Sequence, residues 1–459
     1  MPTELSHELN SPLVHGAMAV IALVLVVVLG RELRHVPKQL LVLMLTAFVD
    51  MAGLFMVIPL VPFYVERLGE GGVQLLGHTF EVGQLVGLVV SCYTVAQLIS
   101  SPFWGRLSDR WGRRPVLLIA LIASALAYLL FGFADTLLLL ALSRVVQGAG
   151  GGTVGVIQSY VADAVEPAQR ARALGWLSAA TNLGVAFGPV IGSGAVALGK
   201  LDLMPGEGSF SIGAAAPGIA AALLCLINAL FAWRFLPESR QHAPSKQRPS
   251  VIGGIGTLLS QPTQPATRLI LIYAIAIGSA HGLNPLMAPF LGERFGFDET
   301  TIGYFFFYIG SLSVLARVLV LGRVVDRFGE VRVFRIGLCA LAAAFLLLPF
   351  ADSLGMLALI VTLQPLGMSL TFSCLTSLLS RMVPAAQRGL YMGLQQSFAG
   401  LARVGAPNAY GWSYDLHGPG VAFRIAGAVI FGTQLFGIGL RRSTDAGEAA
   451  KAGGAGSRT

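Results

Sequence analysis

The chain has 459 residues, of which 55% are hydrophobic, only 12% are charged and 56 are glycine, and its mean hydropathy is +0.73. A typical soluble domain carries about 25% charged residues, so this composition excludes a soluble catalytic domain and requires a chain embedded in a membrane. The excess of 31 Lys and Arg over 23 Asp and Glu, a net +8, is read by its placement along the chain and not as a nucleic-acid footprint.

At about 1.5 Å per residue, a helix crosses a bilayer core with roughly 20 apolar residues. Runs such as Val116–Leu130 are apolar without the alternation of a barrel strand, so helices span. In chain order, spans are predicted near 12–30, 39–64, 82–104, 115–134, 136–161, 173–198, 213–236, 269–291, 300–321, 333–351, 354–379, 389–411 and 421–440. The first follows acidic Glu4 and Glu8 and precedes Arg31, Arg34 and Lys38, the reverse of a signal peptide. It reads as an uncleaved accessory helix with its N-terminus outside, a possible docking element for a protein partner. About 24 of the 31 Lys and Arg then fall on one side, which should be cytoplasmic together with the C-terminus. Cys92, Cys225, Cys339 and Cys374 stand singly in apolar runs, so no disulfide framework and no metal site is expected.

The polar stretch 237–268 divides the chain, and the two halves match. Pro62-Phe63 with Glu66-Arg67 and Gly69 recurs as Pro289-Phe290 with Glu293-Arg294 and Gly296. Gly105-Arg106-x-x-Asp109-Arg110-x-Gly112 recurs as Gly322-Arg323-x-x-Asp326-Arg327-x-Gly329, and Phe133-Ala134-Asp135 as Phe350-Ala351-Asp352. Gln147 and Gly150 recur as Gln364 and Gly367, and Gln169-Arg170 with Gly175 and Pro189 as Gln387-Arg388 with Gly393 and Pro407. The nearly constant offset points to a duplication of six helices. The expected fold is an all-α polytopic membrane protein: an accessory helix and basic linker (1–38), a six-helix bundle (39–236), a cytoplasmic linker (237–268), a pseudo-symmetric second bundle (269–440) and a cytoplasmic tail expected to be disordered (441–459).

Gly105-Arg106-Leu107-Ser108-Asp109-Arg110-Trp111-Gly112-Arg113-Arg114-Pro115 resembles the signature cytoplasmic loop of the major facilitator superfamily. Arg144-Val145-Val146-Gln147-Gly148 resembles its fourth-helix motif, and Gly184-x-x-x-Gly188-Pro189-x-x-Gly192 its fifth-helix antiporter motif. Together they resemble the twelve-helix drug/proton antiporter branch, which includes tetracycline exporters, over about residues 40–440. The resemblance implies a multi-pass protein of a prokaryotic cytoplasmic membrane that moves a small solute by alternating access, coupled to protons, with no cofactor. It also implies that Gly105, Asp109, Arg110, Gly112 and Arg113, with Asp326 and Arg327 in the copy, form a conformational latch. Glu330 and Val331 stand where Arg113 and Arg114 stood, so the second latch departs from the pattern. Gly184, Gly188, Pro189 and Gly192 form a bendable surface for close helix packing, because Pro189 cannot donate to the carbonyl of Val185.

An ionised carboxylate at mid-membrane costs at least about 2.5–3.5 kcal/mol unless it is paired or faces a cavity, and Asp50 is the one acid placed there. Three readings stand open: proton coupling with Arg144 as counter-charge, a permanent structural pair with Arg144, or direct solute contact. Helical spacing places Arg144, Gln147 and Gln158 on one face, and Gln396, Arg403 and Tyr410 on another, so both can line a solute path. Arg403 is expected to meet solute or a carboxylate, against a structural hydrogen-bonded role. His281 is a candidate titrating or solute residue, with a packing histidine as the alternative. Two arginines against one acid favour an anionic, zwitterionic or neutral amphipathic solute. Gly150–Gly155 formally matches GxGxxG but has no preceding strand, so no nucleotide site is expected. An organic-anion or nutrient symporter, and a transport-inactive receptor or scaffold, remain the competing readings.

Overall fold

The computed structural model describes residues 16, 18–21, 23–24, 38–69, 72–75, 78–151, 153–166, 169–200, 212–238, 263–384 and 387–438. Most of the predicted first span, the 239–262 part of the linker and the 441–459 tail lie outside the described residues.

Sixteen helices follow in chain order among the described residues from Lys38: α1 (Lys38–Val57), α2 (Val61–Gly69), α3 (Val82–Trp111), α4 (Arg113–Gly132), α5 (Leu137–Gly150), α6 (Thr153–Ala164), α7 (Arg170–Gly199), α8 (Ile212–Phe235), α9 (Pro265–Leu283), α10 (Met287–Phe295), α11 (Ile302–Leu315), α12 (Leu321–Phe328), α13 (Glu330–Leu347), α14 (Leu354–Met382), α15 (Arg388–His417) and α16 (Pro419–Gly432). Several run on through short 3-10 or π segments, so that eleven helices among the described residues are long and apolar enough to cross a membrane, and these fall on eleven of the predicted spans. The remaining predicted span from 389 to 411 lies in α15, a helix of 30 residues whose Gln395, Gln396, Arg403, Asn408 and Asp415 lower its apolar content. Length, not composition, makes it able to cross. The predicted loop Glu70–Phe80 holds a small antiparallel hairpin, β1 (Val73–Leu75) and β2 (His78–Phe80), in register Val73↔Phe80.

The duplication is visible in local chemistry. Thr136 opens α5 by accepting a hydrogen bond from the Leu139 N–H at 3.2 Å, and Ser353 opens α14 by accepting one from Met356 at 3.2 Å. A hydroxyl at this position satisfies one of the orphan donors of a helix start. This is why the Phe-Ala-Asp landmark recurs: each copy immediately precedes an N-cap. Gly112 and Gly329 likewise end α3 and α12 with φ of 104° and 75°, in the region that residues with a Cβ avoid.

The chain forms two compact units. The first takes in the described residues of Met1–Pro244 together with Asn284–Val314 and Pro407–Leu416; the second takes in those of Ser245–Leu283, Leu315–Ala406 and His417–Thr459. In the first unit, Leu43, Met44, Val116, Leu117, Ile157 and Tyr160 bury one apolar cluster. Close backbone approach adds to it: a Cβ on Gly184, Gly188 or Gly192 would lie 2.4–2.5 Å from the carbonyl oxygens of Phe48, Ala52 and Met56, so the glycine face of α7 fits directly against α1. The second unit buries Ile270, Phe334, Leu338, Phe345, Leu375 and Phe423. In it Gly337 and Gly367 bring α13 and α14 together, each meeting the other's backbone within 3.0 Å of an added Cβ.

Candidate functional site

Polar side chains placed in apolar helices build the first unit's candidate site. Arg144 on α5 is 2% exposed. Its Nη1 donates to Gln147 Oε1, its Nε donates to Ser143 Oγ at 3.2 Å, and its guanidinium carbon lies 4.7 Å from the Phe131 ring centre. A desolvated cation over an aromatic face gains about 2 kcal/mol, which offsets part of the burial. Arg144 Nη2 is buried with no hydrogen-bond partner among the described residues. Gln147 Nε2 donates in turn to the hydroxyl of Tyr128 on α4 at 2.6 Å. Half-buried Asp50 on α1 lies within electrostatic reach of the Tyr128 hydroxyl and of Cys225 on α8. Gly53, three residues beyond Asp50, leaves room for that hydroxyl, since a Cβ there would stand 2.8 Å from it. An aromatic column continues from the cluster: the Phe131 and Tyr64 rings are 4.4 Å apart, and Arg67 lies 4.4 Å over Tyr64.

The other predicted residues are distributed differently. Gln158 is exposed on α6, whereas α5 ends at Gly150 with Gly151 as its C-cap, so the helical face expected to continue from Arg144 is interrupted. Tyr410 is 7% exposed in the first unit. In the second unit His281 on α9 and Arg403 on α15 lie within electrostatic reach of one another, and a Cβ on Gly278 would meet Ala402 at 2.6 Å. Gln396 is exposed, whereas its neighbour Gln395 is fully buried and accepts from Thr376 Oγ1 at 3.5 Å. Consecutive helix positions point about 100° apart, which spacing alone could not assign between them.

The signature segment is helix almost throughout. α3 runs past Gly105, Asp109 and exposed Arg110 to Trp111, so Gly112 alone makes the reversal expected of both Gly105 and Gly112. The first residue of α4, Arg113, pairs with Asp109 at 2.6 Å and with Asp163 near the end of α6 at 3.0 Å, and donates to Ser108 Oγ at 2.6 Å. Glu238, just past α8, accepts from the backbone N–H of Arg113 at 2.9 Å and of Arg114 at 3.2 Å. A carboxylate there matches the partial positive charge of a helix start. Neither Asp163 nor Glu238 was among the predicted latch residues, because both contacts close over long stretches of chain. In the copy, Asp326 and Arg327 are exposed, with Arg327 5.7 Å over the Phe328 ring. There Glu330 meets Arg381 at 3.1 Å and accepts from Ser377 Oγ at 2.7 Å.

At the opposite end of the first unit, two helix starts are capped from other helices. Asp415 of α15 accepts from the N–H groups of Gly83 and Gln84 at 2.9 and 2.8 Å, at the start of α3. Ser193 of α7 accepts from the N–H of Gly303 at 3.0 Å and donates to the carbonyl of Glu299 at 2.8 Å, at the start of α11. Beside it, burial would raise the Asp298 carboxyl, but hydrogen bonds from Thr300 and Thr301 and nearby Lys200 hold it below the usual carboxylate range.

The Major Facilitator Superfamily profile matches residues 43–316 and 269–457. Among characterised proteins, the chain is 27% identical to the class B tetracycline resistance protein of Escherichia coli, over 80% of this chain and 86% of that one. It is 27% identical to multidrug resistance protein 2 of Bacillus subtilis, over 87% of this chain and 93% of that one. The crystal structure of the human organic anion transporter MFSD10 (TETRAN) superposes with a TM-score of 0.62 at 23% identity, covering 88% of this chain and all of that one. The chain belongs to the Major Facilitator Superfamily and is an all-α, multi-pass membrane transporter, not an enzyme.

Proposed function

We propose that this transporter is a proton-coupled exporter of a small amphipathic solute, with Asp50 as the coupling acid and Arg144 as the group that answers to it. The observation that carries the reading is the polar cluster of Asp50, Tyr128, Gln147 and Arg144 within helices that are otherwise apolar. A buried guanidinium nitrogen without a partner is costly, and Arg144 Nη2 is a donor directed to an anion that arrives in another state of the cycle. Export is supported by the similarity to tetracycline and multidrug resistance proteins. Arg144 with its buried, unpartnered Nη2 favours an anionic, zwitterionic or neutral solute over a purely cationic one. His281 beside Arg403 adds a second place where such a solute is held. Asp109 and Arg113 act as the latch of the cycle, on the side we assign to the cytoplasm with the C-terminus, the N-terminus being outside.

Proteoliposomes with an imposed pH gradient, screened against a broad solute panel that includes tetracycline, test the reading. Asp50→Asn is expected to abolish accumulation against a gradient while passive exchange of the same solute survives. If Asp50→Asn concentrates solute as well as the parent does, proton coupling through Asp50 is wrong. Uptake driven in the direction of proton entry would replace export with symport. Cysteine labelling from outside intact cells at the 237–268 linker would overturn the orientation.

A further inference from the structure

Chemistry dictates the direction of each hydrogen bond in the Arg144 cluster. A guanidinium only donates, so the Gln147 atom facing Arg144 Nη1 is its carbonyl oxygen, and the amide nitrogen turns away. That nitrogen donates to Tyr128 Oη at 2.6 Å. Having accepted there, the Tyr128 hydroxyl sends its own proton elsewhere, and the carboxylate within its electrostatic reach is Asp50. α1 presents Asp50 and Gly53 on one face, because residues three apart share a face, and Gly53 sits directly against Tyr128 Oη. Among the described residues, the titratable groups that also bear on this cluster include Cys225 of α8, Tyr93 of α3 and Tyr64 of α2. One turn before Asp50, Thr46 donates to Asn228 of α8 at 3.3 Å, which holds that part of α1 in place.

We propose that Tyr128 is the positioning residue that transmits the protonation state of Asp50 to Arg144, through Gln147, in a hydrogen-bond chain of one polarity. The proposal rests on Asp50 being the coupling acid. No proton crosses the chain, because the Gln147 amide donates and accepts without passing one on. When Asp50 is charged, it draws the Tyr128 proton, the Tyr128 lone pairs stay open to Gln147, and Gln147 holds Arg144. When Asp50 is protonated it becomes a donor that competes for the same Tyr128 oxygen. The Tyr128 oxygen then shares its lone pairs between two donors, its bond from Gln147 weakens, and Arg144, whose Nη2 already lacks a partner, turns to another anion.

The test uses the full-length carrier in proteoliposomes and dicyclohexylcarbodiimide, which reacts with protonated carboxyls, with labelling of Asp50 read by peptide mass spectrometry as a function of pH. Tyr128→Phe is expected to move half-maximal labelling toward alkaline pH by about one unit, because a donor to the carboxylate is lost. Gln147→Leu alone should move it by a smaller amount in the same direction, and added to Tyr128→Phe it should move it no further. A merely structural role would not produce that non-additivity. An unmoved profile in Tyr128→Phe, or additive shifts, overturns the relay. Where Tyr128→Phe yields no folded carrier, Gln147→Leu decides alone, and an unmoved profile overturns the proposal. Asp50 labelling in the parent that does not vary with pH overturns the coupling reading itself, so the two failures are told apart.

Discussion

The junction between α3 and α4 and the junction between α12 and α13 share one sequence pattern and open their second helices with opposite charges. In the first, Arg113 opens a helix and pairs with Asp163 at 3.0 Å; in the second, Glu330 opens the corresponding helix and pairs with Arg381 at 3.1 Å. Coulomb attraction depends on the product of two charges, so inverting both members keeps the link. What differs is solvent. The helix-opening side chains are equally shielded, Arg113 at 11% and Glu330 at 12% exposed, but their partners are not, Asp163 being 30% and Arg381 64% exposed. A screened surface pair contributes about 0–1 kcal/mol, while breaking a buried one by removing a partner costs about 3–5 kcal/mol. The two ion pairs therefore hold unequal energy because their partners differ in exposure, and the first junction, where Arg113 also pairs with Asp109, carries most of it.

The largest break in this comparison is Arg113→Glu, which removes three side-chain contacts and brings a third carboxylate to Asp109 and Asp163. A loss of roughly 3–5 kcal/mol is expected, seen as a lower unfolding temperature in detergent and as lost transport. An unchanged unfolding temperature would remove the energetic asymmetry. Next comes the pair of glycines. Gly112→Ala meets both a positive φ and a Cβ 2.5 Å from Glu238 Oε2, whereas Gly329→Ala meets only the positive φ, with nothing within 4 Å. About 1–3 kcal/mol is expected for the positive-φ, extended-ψ backbone in either, and a further loss only at Gly112, as measured by thermal unfolding of the two variants side by side.

Asp109→Asn keeps the shape of the first junction and weakens one of its ion pairs. Turnover is expected to fall several-fold while solute affinity changes less, because the contact is assigned to the conformational cycle. Unaltered turnover in a vesicle assay would remove Asp109 from the latch. The smallest effect belongs to the charge-inverted copy. Glu330→Arg should destabilise by at most about 1 kcal/mol, and Glu330→Arg combined with Arg381→Glu should restore the parent to within about 0.5 kcal/mol. Failure of the double variant to recover would show that Glu330 serves through Ser377 and not through the ion pair.

Hydrophobic run length made the helices and eleven of the predicted spans legible in the sequence, and the glycine- and arginine-bearing motifs made the family so. A bilayer penalises every unsatisfied backbone group and every exposed charge, so these features must be written locally into the chain. The site was legible in part. Arg144 and Asp50 stood out because a charge in an apolar run is costly anywhere in the membrane. Tyr128 did not, since a tyrosine in such a run is ordinary. Only the approach of α1, α4 and α5 brings its hydroxyl against Gly53 of α1 and within hydrogen-bond reach of Gln147.

The latch shows the same division. The glycines and the Asp109–Arg113 spacing are local, because a reversal needs a residue without Cβ and a helix brings positions four apart together. The sequence alone therefore determined that these helices span, where they reverse, and which charged residues the membrane would have to accommodate. Tertiary packing decided which partners those groups received: Asp163 and Glu238 for the first junction, Arg381 for the second, and Tyr128 for Gln147, which itself accepts from Arg144. Apart from Gln147, one turn from Arg144, each of those partners is remote in the chain. A charge selects its partner by distance in space, and that distance exists only after the helices have packed.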